Sequence, residues 1–275
     1  MNKYQKGLVP ILVIGLVVLV LLGVGGTGYY LFSKGQLHPL NQSQNNTDSQ
    51  IRMSYNIEYR QDDNELVYAL LPKIEGYDKE KQDAVNFNMW VFEIPINNYV
   101  RSPWNTRLYV NCFPSALNKN LVSVYCFYNG LVGNSLIGYL WAVTLNYNMN
   151  NLKEISLSDI FNKDSNYLNK LQEEAKEKLN SIISNDNNHY RNSVPGGLVD
   201  GIIGGREQWL ESVVNNLGSF TLTPNGLVLY FDGCPPQSLS MVKNLDGIQQ
   251  ITIPWSELKG FANNEVIGDL LGVKI

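Results

Sequence analysis

LVSVYCFYNGLVGNSLIGYLWAVTLNYNMNNLKEISLSDIF, residues Leu121 to Phe161, is the stretch from which the fold is read. Two long alternating runs are joined by a Gly/Asn loop. A turn and a one-turn helix follow. In the second run Ile137, Tyr139, Trp141, Val143, Leu145 and Tyr147 share one face, because strand side chains alternate with a period of two. The first run sets Leu121, Ser123, Tyr125 and Phe127 on one side and Val122, Val124, Cys126 and Tyr128 on the other. Both faces are largely apolar, which predicts a central strand covered on both sides.

Working outward, Met53–Arg60 and Glu65–Leu71 read as strands around the polar turn 61–64. Pro72–Tyr77 reads as a loop. Asp78 is placed to cap a helix to about Phe92, with Val85, Met89 and Phe92 on one face and Pro95 ending it. Thr106–Phe113 alternates as a strand, and Pro114–Asn120 reads as a turn into the central pair. After Tyr147 the run 148–151 is a turn, and Ser156-x-x-Asp159 resembles a capping box. Asp164 or Ser165 then caps a helix to about Ile183 with Leu168, Leu171, Ala175, Leu179 and Ile182 as its apolar stripe. Residues 185–205 read as a loop, and 207–215 as a short helix carrying Trp209. Ser219–Thr223 and Leu227–Asp232 flank Pro224-Asn225-Gly226, a hairpin signal in which Gly supplies positive φ. Gly247–Ile253 reads as a last strand, and Pro254 opens a helix to Leu258. The fold class is therefore α+β, an antiparallel sheet with packed helices, preceded by one transmembrane helix.

That transmembrane expectation rests on residues 7–32, which carry no charge, with Leu8–Leu22 almost purely aliphatic. A bilayer core needs about 20 apolar residues in a helix. Lys3 and Lys6 precede the stretch and Lys34 alone follows closely, so the positive-inside rule puts the N-terminus in the cytoplasm and the rest outside. A cleaved signal peptide is the rival reading, with Gly25, Gly26 and Gly28 as the small residues it would need. The absence of a following Cys and of a Glu near Gly7 argues against lipoprotein and pilin starts. Gly23–Gly28 formally matches G-x-G-x-x-G, but a dinucleotide site needs a preceding strand. Residues 33–50, rich in Gln, Asn and Ser, read as a tether. The expected division is a stub over 1–6, an anchor over 7–32, a linker over 33–50, a small subdomain over 51–113, a larger domain over 114–260 and a tail over 261–275.

Across 275 residues the net charge is −4, with no Lys/Arg-rich run, so nucleic acid is not an expected partner. Cys112, Cys126 and Cys234 fit no CxxC spacing. A single disulfide would leave one thiol unpaired, the sequence does not choose the pair, and buried free thiols are the preferred reading. His38 and His189 are the two histidines, so neither a zinc cluster nor a Ser-His-Asp device is expected. No G-x-S-x-G elbow or P-loop exists, no cofactor is implied, and no catalytic residue is assigned. Two carboxylates can meet in space from anywhere, so a glycan hydrolase stays open. Trp104, after Pro103, is the tryptophan most suited to an exposed position, while Trp141 reads as core.

The blocks VSVYCFYNG, LNYNMNNLKEISLSDIF, FTLTPNGLVLYFD and ITIPWSEL resemble the RsiV-like C-terminal domain family, an extracytoplasmic module of a lysozyme-sensing anti-sigma factor and of some polysaccharide deacetylases. The resemblance covers about Leu121–Leu258, and LLPKIEG with residues 82–86 is similar to the smaller domain that precedes it. It implies a membrane-anchored, non-catalytic binding module of the cell envelope, with peptidoglycan or a lysozyme-like protein as partner. A structural envelope protein is a third possibility. The family's Gly-Gly-Ala-His-Gly type loop is replaced here by Gly130-Leu131-Val132-Gly133-Asn134, and 232–251 also departs from its pattern. The candidate ligand contacts are Trp104, Tyr128, Asn129, Gly130, Gly133 and Asn134. The six residues before the apolar stretch leave no room there for a cytoplasmic regulatory domain.

Overall fold

The computed structural model describes residues 51–61, 65–100, 106–132, 138–193, 207–232 and 248–275. The anchor and tether expectations fall on residues 1–50, outside the described part. Among the described residues no helix is long and apolar enough to cross a membrane.

Strands β1 (Arg52–Gln61), β2 (Glu65–Glu75), β3 (Thr106–Leu117), β4 (Leu121–Val132), β5 (Gly138–Asn148) and β6 (Lys153–Glu154) form one sheet in sequence order. All pairings are antiparallel except β2 with β3, which is parallel. A parallel step needs a crossover. Here it is helix α1 (Lys79–Asn88), a 3-10 turn (Met89–Phe92) and helix α2 (Ile94–Val100). The α+β expectation holds, with a mixed rather than purely antiparallel sheet. Strands β7 (Ser219–Thr223), β8 (Gly226–Phe231) and β9 (Gln249–Pro254) form a second, antiparallel sheet.

Alternation assigns the layers. Val122, Val124, Cys126 and Tyr128 of β4 share a core with Val67, Ala69, Leu108, Val110 and the crossover residues Val85, Met89, Phe92 and Ile96. On the opposite face Tyr125, Phe127 and Ala142 pack against Val228 and Tyr230 of β8. β4 is thus covered on both sides, as its two apolar faces predict. The outer face of the second sheet, through Leu222, Leu227, Leu229, Phe231, Ile251 and Ile253, packs on Leu171, Ala175, Leu179 and Ile183 of a long helix. Every residue of β8 is buried accordingly.

Side chains stitch the two sheets together. Asn146 donates through Nδ2 to the Phe220 carbonyl at 2.8 Å, and Ser123 Oγ donates to Asn146 Oδ1 at 2.6 Å. The Leu222 N–H donates to Ser123 Oγ at 3.0 Å, and the Phe220 N–H to Thr144 Oγ1 at 3.2 Å. Ser123 and Asn146 are both buried. Backbone groups of β7 that would otherwise be orphaned are therefore satisfied by the large sheet.

Several boundaries differ from the sequence reading. β2 runs through Pro72 to Glu75 because β1 continues to pair with it there, Arg52 opposite Glu75. The β2–β3 ladder stops at Leu70, and a strand with a neighbour on one side only tolerates proline. β3 likewise continues past Pro114, with a register shift between Pro114 and Ala116 that acts as a bulge. Pro95 does not stop the crossover; it lies in the first turn of α2, where its missing N–H has no helical partner to lose. Helices α3 (Leu157–Ile160) and α4 (Tyr167–Ser193) follow. The α3 start is fastened as expected: the Ser156 N–H and hydroxyl both donate to Asp159 Oδ2. α4 is ten residues longer than the stripe to Ile183 suggested, and its side chains beyond Ser184 lie outside the described set. Its buried row is Leu171, Ala175, Leu179 and Ile183, while Leu168 is 47% exposed in the first turn. Residues 207–214 (α5) are helical and bury Trp209. Trp255–Leu258 is a 3-10 turn, and α6 (Asn264–Leu271) buries Ile267 and Leu270, with Gly272 closing it at φ 70°.

Two of the structure's findings correct the sequence reading at single residues. Cys112 stands opposite Cys126 in the β3–β4 ladder, and the two form a disulfide, against the preference for free thiols. In the hairpin the turn is Pro224-Asn225, and Gly226 already belongs to β8. Gly226 is not among the described residues with positive φ. Glycine is needed there because a Cβ would lie 2.3 Å from the Ile253 carbonyl oxygen of β9.

Three outcomes are expected. Unreduced, denatured protein titrates one thiol of its three cysteines with Ellman's reagent, and reduction lowers unfolding free energy by about 3 kcal/mol, as a closed loop of this order implies. Asn146→Leu takes the side-chain donor from the Phe220 carbonyl and the acceptor from the Ser123 O–H and costs roughly 2–4 kcal/mol, read as a lower urea midpoint at unchanged slope. Gly226→Ala pushes on backbone rather than on a flexible side chain and costs on the order of 1–3 kcal/mol, read as a fall in Tm.

Candidate functional site

The large sheet is covered unevenly on the face that meets β8. Beside β4 and β5 the second sheet closes it. Among the described residues no strand or helix of the second sheet covers it beside β1 and β2, and β3 meets that sheet only toward its far end, where Ser115 bonds Thr221. By alternation Tyr55, Ile57 and Tyr59 lie on one face of β1. The register sets Tyr59 opposite Tyr68, Tyr68 beside Tyr109, and Tyr109 opposite Asn129. A row Tyr59–Tyr68–Tyr109–Asn129 therefore crosses four strands. The neighbouring row is Ile57–Leu70–Asn111–Phe127. Exposures of 43% for Tyr55, 67% for Ile57, 59% for Tyr59 and 38% for Tyr68 make this a contiguous exposed apolar surface rather than scattered residues. Contiguous exposed apolar surface of this kind makes the face the candidate interaction site.

Its electrostatics are mild. Tyr55 donates its hydroxyl to the Cys112 carbonyl at 3.1 Å, and partial burial pushes its phenol up from the ordinary value. Burial does the same to Tyr125, at the covered end of the face. Tyr59 donates to Gln61 Oε1. Asn129 is exposed at one end of the row, and Arg107 is exposed one row further along β3. This surface offers flat rings, amide groups and one guanidinium. It can stack and hydrogen-bond, and it supplies neither a nucleophile paired with a base nor a metal-ligand set. Among the described residues no group of three or more His, Cys, Asp or Glu could hold a metal ion.

A second feature is a shallow recess of about 230 Å³ near the end of β8, lined by Ser212, Asn216, Ser219, Tyr230 and Asp232 among others. Asp232 accepts the Ala142 N–H at 3.3 Å. Burial raises its pKa, and that hydrogen bond opposes the rise. Among the described residues Asp232 is the single carboxylate in the lining, whereas glycoside cleavage uses two facing acids.

The sequence-derived contact residues separate in space. Asn129 is exposed beside the tyrosine row, and Gly130 is buried. Tyr128 is fully buried: its hydroxyl donates to the Phe92 carbonyl at 2.6 Å, its ring stacks on Trp141 at 5.1 Å, and burial drives its pKa far up. Trp104, Gly133 and Asn134 lie outside the described residues. The tyrosine face itself was missed. Its signal was present in β1, where Tyr55, Ile57 and Tyr59 alternate with Asn56, Glu58 and Arg60, but the open side of that strand is decided by the second sheet, which sequence alone does not position.

Comparison with known proteins gives the fold and a domain. A family model described as "Protein of unknown function (DUF3298)" matches residues 158–256. The chain is similar in structure to a DUF3298 family member from Bacteroides fragilis, with 15% sequence identity, a TM-score of 0.52 and coverage of 83% of this chain and 100% of that one. A DUF3298 family protein from Pseudomonas aeruginosa aligns with 13% identity and a TM-score of 0.48, over 80% of this chain and 94% of that one. No curated protein matches the chain. At 15% identity the likeness to the Bacteroides fragilis protein is one of fold, and residues 158–256 match the model of the DUF3298 domain, whose function is unknown.

Proposed function

We propose that this protein is a membrane-anchored, extracytoplasmic binding module of the cell envelope, RsiV-like in type, that holds a cell-wall glycan or a wall-active protein such as lysozyme on the open face of β1–β3. The observation that carries the reading is the row Tyr59–Tyr68–Tyr109–Asn129 on an uncovered sheet face. Tyrosine is enriched at interfaces because its ring gives large contact area at small entropic cost and its hydroxyl keeps a polar handle. The Cys112–Cys126 disulfide supports an oxidising compartment, hence an outward-facing head. The apolar stretch 7–32 supports the anchor, and residues 33–50 the tether. The division at 113/114 into a small and a larger unit belongs to the same resemblance; in the structure that point lies within β3. A carboxylate hydrolase is the less favoured class, because among the described residues the Asp232 recess contributes one acid where two are needed.

Binding of residues 51–275 to insoluble peptidoglycan and to immobilised lysozyme tests this reading. The expected result is retention by one of the two, and a loss of at least about tenfold in affinity for the doubly substituted Tyr59→Ser, Tyr68→Ser protein. Its Tm stays close to that of the parent, since both rings are exposed. Failure of both matrices to retain the parent protein removes the ligand assignment.

A further inference from the structure

We propose that the recess beside Asp232 binds an organic cation, a guanidinium or primary ammonium group carried on a short apolar stem. The recess lies between the last turn of α5, the start of β7 and the end of β8. Its volume of about 230 Å³ suits one group of side-chain size. Drug-sized ligands take roughly 300–1,000 Å³.

Three observations set the sign of the charge. The first is the carboxylate. Asp232 accepts the Ala142 N–H at 3.3 Å through Oδ1, and among the described residues Oδ2 has no hydrogen-bond partner. Asp232 is exposed, so a solute reaches that oxygen. The second is the helix end. Ser212 and Val213 belong to the last turn of α5 and Asn216 follows it, and all three line the recess. The final carbonyls of a helix carry partial negative charge, which favours a cation. The third is the lack of a neutralising group: among the described residues no lysine, arginine or histidine is in the lining. The partial burial that raises the Asp232 pKa acts in the same sense, since a poorly hydrated carboxylate gains from a cation beside it.

The rest of the lining fits the shape of such a ligand. Val213 and Phe231 are apolar, and arginine-like and lysine-like stems lie along apolar surface while their heads stay polar. A guanidinium is a planar set of five N–H donors with no acceptor. Asp232 Oδ2, the Ser212 hydroxyl and the Asn216 amide oxygen are acceptors around one recess. The Ser219 hydroxyl donates to the Ala142 carbonyl at 3.4 Å, so both backbone groups of Ala142 are held by lining residues. The Ala142 amide therefore reports directly on the carboxylate. No lining residue belongs to the tyrosine row, so this site stands or falls independently of that face.

The test follows the Ala142 amide by NMR in the full chain, isotope-labelled at alanine and held in detergent micelles. The probes are n-butylguanidinium and its uncharged counterpart n-butylurea. The expected result is a saturable shift of the Ala142 signal with n-butylguanidinium and an affinity at least about tenfold lower for n-butylurea. Asp232→Asn keeps an oxygen for the Ala142 N–H and removes the charge. It is expected to weaken n-butylguanidinium at least about tenfold and to leave n-butylurea unchanged. Gly218→Leu adds bulk to the lining at a position where the nearest atom to a Cβ is Asn216 Oδ1, at 3.5 Å, and is expected to weaken both probes. A Gly-Arg-Gly peptide and n-butylamine, titrated alongside, tell a polypeptide side chain from a small amine as the source of the cation. Equal affinity for n-butylguanidinium and n-butylurea overturns the proposal. So does a folded Asp232→Asn chain that holds n-butylguanidinium as the parent does, or a parent chain whose Ala142 signal no cation moves.

Discussion

A pair of buried polar side chains holds the molecule's two sheets in one relation. Ser123 and Asn146 stand on adjacent strands of the large sheet and bond each other, and both then reach the backbone of β7. Sheet-on-sheet packing by apolar side chains alone is non-directional and leaves sliding registers close in energy. Bonds to the Phe220 carbonyl and the Leu222 N–H single out one position. Thr144 to the Phe220 N–H, and Ser115 to Thr221, which shares a further bond with the Tyr230 hydroxyl, extend the same seam. Once β7 is fixed, β8 and β9 follow from it, and α4 has a defined surface on which to lie.

That fixed relation decides which part of the large sheet is covered. The small sheet spans β4 and β5, where Tyr125 and Phe127 meet Tyr230 with ring centroids 5.0 and 6.1 Å apart. Rings of the same chemical kind on β1 and β2, Tyr55, Tyr59 and Tyr68, lie exposed. One sheet face thus serves as core at one side and as surface at the other, and the line between the two runs along β3.

Much of this was legible in the residues. The two-faced pattern of 121–128 identified β4 as central, the Ser156/Asp159 spacing marked the start of α3, and Pro224-Asn225-Gly226 located a hairpin. These signals are local, and their physics is local too. What escaped depends on distant partners. Pro72 and Pro114 read as breaks because a proline weakens any strand with neighbours on both sides, and only the ladder reveals where a side is free. The disulfide needed the β3–β4 register before Cys112 could be set against Cys126. Gly226 was read correctly as essential to the hairpin and for the wrong reason, since the crowding comes from Ile253, more than twenty residues onward. Tyr128, a candidate contact by its place near the loop, is instead a core ring with its hydroxyl committed to Phe92. The open face was hidden for the same cause: exposure of β1 is a property of what the second sheet fails to reach.

The strand at the open edge is also the first of the sheet in chain order. Any tension arriving from residues before Ile51 enters at Arg52, whose first resistance is its ladder contact and ion pair with Glu75. Peeling would load these contacts one after another, beginning at the sheet's margin. The covalent staple between β3 and β4 lies two strands deeper and would feel that load only after β1 and β2 had yielded. Mechanically, the described residues are graded, with a compliant margin at β1 and a stiff interior behind it.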